Sequence, residues 1–187
     1  MDGSISNIIV SAIIGIVTGI ISSLIVTIYY RKKDNARDKI MFIRQLIRHL
    51  SQMTYQLNEL FQHTDPRSSS AESLDTIVES ILATHRSRPV SESRFRFTSI
   101  EKEYIEKYTS LSSTIGKELN EYNRIKNVLV ALEHDKRDTD AQEIQQLKYK
   151  RHLAAISLGG NVANCYSLRN KIEELQLGNS SAAQKAT

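Results

Sequence analysis

Tryptophan is absent from this 187-residue chain; cysteine occurs once, proline twice and glycine seven times. A single cysteine, Cys165, excludes a disulfide framework and any cysteine-rich zinc site. So few prolines and glycines argue against a β-sandwich, whose many turns draw on both. Charge is missing as well, but only locally: between Asp2 and Arg31 there is none. Elsewhere both signs are well supplied, with 25 Lys and Arg against 21 Asp and Glu and a net charge of +4. Hydrophobic residues at 40% and nearly balanced charge exclude a disordered chain.

The charge-free stretch is the most informative segment. Ile8 to Tyr30 reads IIVSAIIGIVTGIISSLIVTIYY. As a helix it spans roughly 35 Å, against a hydrocarbon core of about 30 Å. Tyr29 and Tyr30 stand at its exit, where amphipathic rings prefer the headgroup level. A cleaved signal peptide needs a basic start and a small-residue cleavage site; MDGSISN has no Lys or Arg, and the run ends in Tyr-Tyr-Arg-Lys-Lys. The expectation is a transmembrane helix over 8–30 after a short external N-terminus, 1–7. Arg31, Lys32, Lys33, Arg37 and Lys39 follow the run, so the positive-inside rule puts the remainder in the cytosol, beneath the plasma (inner) membrane. The same five side chains are candidate contacts for anionic lipid.

Within the run, Ser11, Gly15, Gly19, Ser23 and Thr27 recur every four residues. That spacing lines small side chains along one helix face and permits close helix–helix approach in lipid. Self-association into a homo-oligomer is expected from it.

The rest reads as helix. Ile40, Ile43, Ile47, Leu50, Met53, Leu57 and Leu60 alternate steps of three and four, predicting a helix from about Arg31 to His63 that continues out of the apolar run. Asp65-Pro66 stops it. A shorter helix over about 70–86 carries Leu74, Ile77, Val78, Ile81 and Leu82. A long one over about 99–135 opens on Thr98 and Glu101, a capping-box pair. The last, about 140–177, repeats Ile144, Leu147, Arg151, Ala154, Leu158, Asn161, Cys165, Leu168, Ile172 and Leu175. Arg151 and Asn161 are polar at core positions, and a core asparagine often sets register or partner number. Gly159-Gly160 marks close packing or a kink. Gly178 is placed as a C-cap, leaving 178–187 as a flexible tail. The fold expected is all-α: the membrane helix, then an up-and-down bundle over 31–177 with a long antiparallel helical hairpin.

Signatures of chemistry are scarce. No phosphate-cradling Gly-rich loop ends in Gly-Lys-Ser/Thr, and neither His-Glu-x-x-His nor Gly-x-Ser-x-Gly occurs. Asp138-Thr139-Asp140 opens like a calcium loop but lacks its glycine and terminal glutamate. No two of the five histidines have the i, i+4 spacing of a helical metal site. No cofactor or metal is expected. Arg44 and His49 stand in Arg-x4-His order, which resembles the motif of HEPN-type RNases, themselves small helical bundles. The resemblance covers six residues and sits near the start of the chain, whereas that motif usually lies late in its domain. It implies an arginine beside a scissile phosphate and a histidine for acid–base work.

Arg86, Arg88, Arg94 and Arg96 interleave with Phe95 and Phe97 in a stretch without helical period, a candidate loop for a partner or the membrane surface. Lys and Glu balance along the two C-terminal helices, so nucleic acid is not an expected partner. These features favour a non-enzymatic, membrane-anchored, self-associating protein whose bundle binds a cytosolic partner. The alternatives are a defence-related, oligomeric pore-forming or membrane-disrupting effector gated by its cytosolic domain, and an RNase effector using Arg44 and His49.

Overall fold

The computed structural model describes residues 2–64, 71–90, 95–134 and 141–184, and side chains over 18–64, 74–90, 95–133 and 141–178. Every regular element among them is helical: α1 (Asp2–His63), α2 (Ala71–Arg86), α3 (Ser99–His134), α4 (Ala141–Gly159) and α5 (Val162–Gln184). The chain divides into two compact units, Met1–Phe42 with Glu92–Phe95, and Ile43–Ser91 with Arg96–Thr187.

In the first unit α1 is helical from Asp2 onward. Its described apolar side chains face outward: Ile20, Ile25, Ile28 and Tyr29 are each more than half exposed. Phe42 is buried, and its ring lies 5.7 Å from that of Phe95. Among the described residues no helix is long and apolar enough to cross a membrane. The described residues therefore do not support the expected membrane span over 8–30. The side chains of 8–17 lie outside those described, and from Thr18 the apolar stretch is short before the charges at Arg31 begin.

The second unit is the expected up-and-down bundle. His49 and Gln56 of α1 meet Thr84 and Ser80 of α2; His85 and Asp75 of α2 meet Ser112 and Tyr122 of α3. Glu133 and Glu118 of α3 meet Lys148 and Ser157 of α4. In each pair residue numbers rise on one helix as they fall on the other, so α1–α2, α2–α3 and α3–α4 are each antiparallel. The core consists of Ile43, Leu46, Leu50, Met53, Leu57 and Leu60 from α1 against Val78, Ile81, Ile115, Leu119, Leu158 and Leu168. The α1 seam differs from the expected one. Leu46 is buried where Ile47 was expected, and Ile40 is exposed, because the true three-four steps run 43, 46, 50, 53, 57, 60.

Thr98 and Glu101 form the predicted capping box: the Thr98 amide donates to Glu101 Oε2 at 2.7 Å, and the Glu101 amide to Thr98 Oγ1 at 3.3 Å. The last predicted helix is two. It breaks at Gly160-Asn161, where the Gly160 amide bonds Ile156 O and the Asn161 amide bonds Leu158 O. A Cβ at Gly159 would stand 3.2 Å from Phe61 Cβ and 3.3 Å from Phe61 Cα, so the glycine lets α4 approach the backbone of α1. Gly178 does not cap α5. The helix continues through it to Gln184, and no described glycine adopts the left-handed conformation a C-cap needs.

Candidate functional site

The residues singled out in the sequence fall into three groups. Ser11, Gly15 and Arg94 lie outside the described side chains. Gly19, Ser23 and Thr27 are exposed, and a Cβ at Gly19 would meet nothing within 4 Å. Thr27 Oγ1 donates to Ser23 O at 2.8 Å, so its hydroxyl is satisfied within the helix. Arg31, Lys32, Lys33 and Arg37 are exposed and Lys39 is half-buried. Arg86, expected in the loop, is the last residue of α2; it, Arg88 and Arg96 are exposed while Phe95 and Phe97 are half-buried. The phenylalanines act as anchors and the arginines as the solvated part.

Arg44 and His49 are not brought together. Five residues along a helix are about 140° apart around it. Arg44 accordingly faces solvent and His49 the interior.

A cluster of titratable side chains surrounds His49. Its Nε2–H donates to Thr84 O at 3.0 Å, and its Nδ1 accepts from the Tyr108 hydroxyl at 3.2 Å, an assignment of the neutral tautomer that satisfies both nitrogens. Alongside, His85 Nε2–H donates to Ser112 O at 2.8 Å, and Arg88 NH1 donates to Ser112 Oγ at 3.4 Å. His85 lies over Gly116, where a Cβ would come within 3.0 Å of its Cε1. His49, His85, Tyr108, Ser112 and Cys165 line a cavity of about 10 Å³, room for one water at most. No carboxylate lines it. Burial pushes the His49 imidazole below its ordinary value against the opposing effect of the Thr84 carbonyl, and His85 and Arg88 push the same way as burial. Burial likewise raises the Tyr108 phenol, and it pushes the Cys165 thiol up to about 12, far from a reactive thiolate. The arrangement stores no nucleophile and leaves no space for a substrate; it ties α1, α2 and α3 together.

A second polar layer joins α2, α3 and α4. Tyr122, fully buried, donates to Asp75 Oδ1 at 2.6 Å. Lys126 and Arg151 each stand 3.6 Å from Asp75 Oδ2, and Lys126 reaches Glu79 at 2.9 Å. The hydrogen bond to Glu79 holds the Lys126 ammonium above its ordinary value. Arg151, polar at a core position, is thereby explained. Asn161 is too: its Nδ2 donates to Glu118 Oε2 at 2.5 Å, while Ser157 Oγ donates to the other Glu118 oxygen at 2.9 Å. The asparagine holds the α4–α5 break against α3; its amide works inside the chain.

Tyr108, Tyr122, Asp75 and Glu118 were not legible as partners from sequence. The pairs Tyr108–His49, Tyr122–Asp75 and Glu118–Asn161 lie 43 to 59 residues apart in sequence. The clue available was the pair of polar residues in an otherwise apolar repeat, each of which required a partner.

An open groove of about 380 Å³ runs between α3 and α5, with Lys107, Ser110 and Thr114 on one wall and Asn164, Ser167 and Lys171 on the other. The Lys107 ammonium is held by Glu103 at 2.5 Å and lies 5.6 Å from the Tyr104 ring centre. Among the described residues no three His, Cys, Asp or Glu side chains are placed to hold a metal ion. No family model, curated protein or solved structure matches the chain.

Proposed function

We propose that this is a single-pass membrane protein, N-terminus outside, whose cytosolic helical bundle serves as an assembly or partner-binding module and whose membrane helix drives self-association. One observation carries the reading. A charge-free apolar run ends on Tyr29-Tyr30 and then, without a helix break, on a cluster of Lys and Arg. Ile20, Ile21, Leu24, Ile25, Val26 and Ile28 are all 51–64% exposed, and five of the six spread over about 140° of α1. Water does not stabilise such a surface, whereas lipid does. Arg31, Lys32, Lys33, Arg37 and Lys39 then lie at headgroup level, each worth about 1 kcal/mol against an anionic surface. The reading is non-enzymatic: the His49 and Asp75 layers satisfy their own polar groups.

Two measurements test it. In membranes from cells producing the chain, it should stay in the pellet after an alkaline carbonate wash; release to the supernatant would overturn the anchor. Cross-linking in mild detergent should trap oligomers of the wild type and of an Ile21→Leu control. Gly15→Ile and Gly19→Ile place a branched side chain where a neighbouring backbone must pass, and should weaken assembly by on the order of 1 kcal/mol or more. If both variants assemble like the wild type, the stripe of Ser11, Gly15, Gly19, Ser23 and Thr27 does not drive association.

A further inference from the structure

We propose that the layer around His49 is an acid-sensitive latch: protonating this imidazole reverses its hydrogen bond with Tyr108, leaves a buried cation without a counter-charge and releases α1 from α2 and α3. In the neutral form His49 has one donor and one acceptor, and each has a partner: Nε2–H on Thr84 O and Nδ1 on the Tyr108 hydroxyl. A proton arriving from solvent goes to Nδ1 and turns that acceptor into a donor. The Tyr108 hydroxyl must then reverse, and its own proton faces the apolar cavity wall and the Cys165 thiol, a weak acceptor.

The cation also finds no compensating charge. From α2 the facing titratable group is His85, with Arg88 just past its end; from α3 it is Tyr108, and from α5 Cys165. His85 and Arg88 are basic, and the two others carry no negative charge at neutral pH. His49 is 8% exposed, so water does not screen the charge until the helices part. Thr84 O already accepts from Ser87 N at 3.1 Å and Ser87 Oγ at 2.9 Å, so it loses nothing essential when His49 leaves.

The sign follows from linkage. The parted state binds the proton at the ordinary histidine value near 6.5, and the closed state at a lower one. The closed state is therefore fully favoured above about pH 6.5 and loses ground as pH falls through the lower value. The open population grows about tenfold for every pH unit separating the two.

The test is hydrogen exchange of the full chain in mild detergent, read as protection factors between pH 7.5 and pH 5. Amides of 46–53 and 105–112 should lose protection on acidification, by a factor set by the gap between the two values. His49→Gln can donate to Thr84 O and accept from Tyr108 without binding a proton, so its protection should be flat with pH. His85→Gln should fall like the wild type. Wild-type protection that does not change with pH overturns the latch, as does an undiminished fall in His49→Gln or its disappearance in His85→Gln. Should His49→Gln fail to fold at pH 7.5, NMR of the wild-type imidazoles decides. The His49 ring must take its proton below pH 6.5, together with the loss of protection; a ring that stays neutral throughout the fall overturns the proposal.

Discussion

Around His49 the polar groups inside the bundle are neutral, and the imidazole is almost completely buried; around Asp75 they are charged and open to water. Ten helical residues along α2, or about 15 Å, separate His85 in the first layer from Asp75 in the second. Asp75, Lys126 and Arg151 keep side-chain exposures of 24%, 22% and 15%, enough for water to share their ionisation. His49 has no such access. Each layer satisfies the backbone or hydroxyl groups that three packed helices bury, and each meets the same requirement that a buried polar atom find a partner. They differ in what breaks them. A neutral layer fails when a proton arrives, and a charged layer fails when one of its charges is removed.

The largest effect should therefore come from removing the central charge. Asp75→Ala leaves the buried Tyr122 hydroxyl without an acceptor, takes the carboxylate from Arg151 and leaves Lys126 with Glu79 alone. An orphaned buried hydroxyl costs about 1–3 kcal/mol, and a half-buried cation that loses its partner adds to it. Urea unfolding of the full chain in mild detergent should show a loss of about 2–3 kcal/mol. Asp75→Asn retains an oxygen for Tyr122 and should lose about half as much. Equal losses for the two variants would show that the charge, and not the Tyr122 bond, holds this layer.

A smaller effect probes the His49 side. Gly116→Ala would gain about 1 kcal/mol from helix propensity if space were free. The added methyl instead comes within 3.0 Å of His85 Cε1, and His85 is anchored to Ser112 O at 2.8 Å. Displacing an anchored ring costs about 1–3 kcal/mol, so the net expectation is a loss of about 1 kcal/mol. In a His85→Ala background the obstacle is gone, and the same substitution should stabilise by about 1 kcal/mol. If Gly116→Ala stabilises the wild type, His85 moves freely and the layer is looser than its geometry shows.

Most of the helix pattern was legible because it depends on local periodicity. The apolar faces of α2 and α3, the Thr98–Glu101 capping box and the antiparallel order follow from spacing and short connections. The failures have separate physical causes. Ile47 and Leu46 are adjacent and equally apolar, so only the packing phase of α1 against α2 decides which one is buried. Gly159-Gly160 signalled a kink, but whether the helix ends there depends on Phe61 pressing against Gly159, and on Glu118 binding Ser157 and Asn161. Gly178 had the right residue type for a cap, yet nothing packs within 4 Å of its Cβ position to turn the chain. The candidate site was the least legible part. His49 drew notice through its spacing from Arg44, whereas its actual partners, Thr84 and Tyr108, are 35 and 59 residues away in sequence.

The finest test asks whether the two layers act separately. Tyr108→Phe removes the hydroxyl that His49 Nδ1 accepts from and should cost about 1 kcal/mol. It should also speed reaction of a thiol reagent with Cys165, which is buried beside it and held as an unreactive thiol with its value near 12. Asp75→Asn should leave that rate unchanged under conditions where the chain is folded, because Cys165 does not belong to its layer. Sites about 15 Å apart with no shared partner add within about 0.5 kcal/mol. The double variant Asp75→Asn/Tyr108→Phe should therefore lose the sum of the single losses, with a coupling energy near zero. A coupling beyond about 0.5 kcal/mol would mean that α2, which carries Thr84 and His85 at one end and Asp75 near the other, transmits displacement between the layers as a rigid rod. Acid opening at His49 would then weaken the Asp75 charges as well, and the two layers would behave as one cooperative unit.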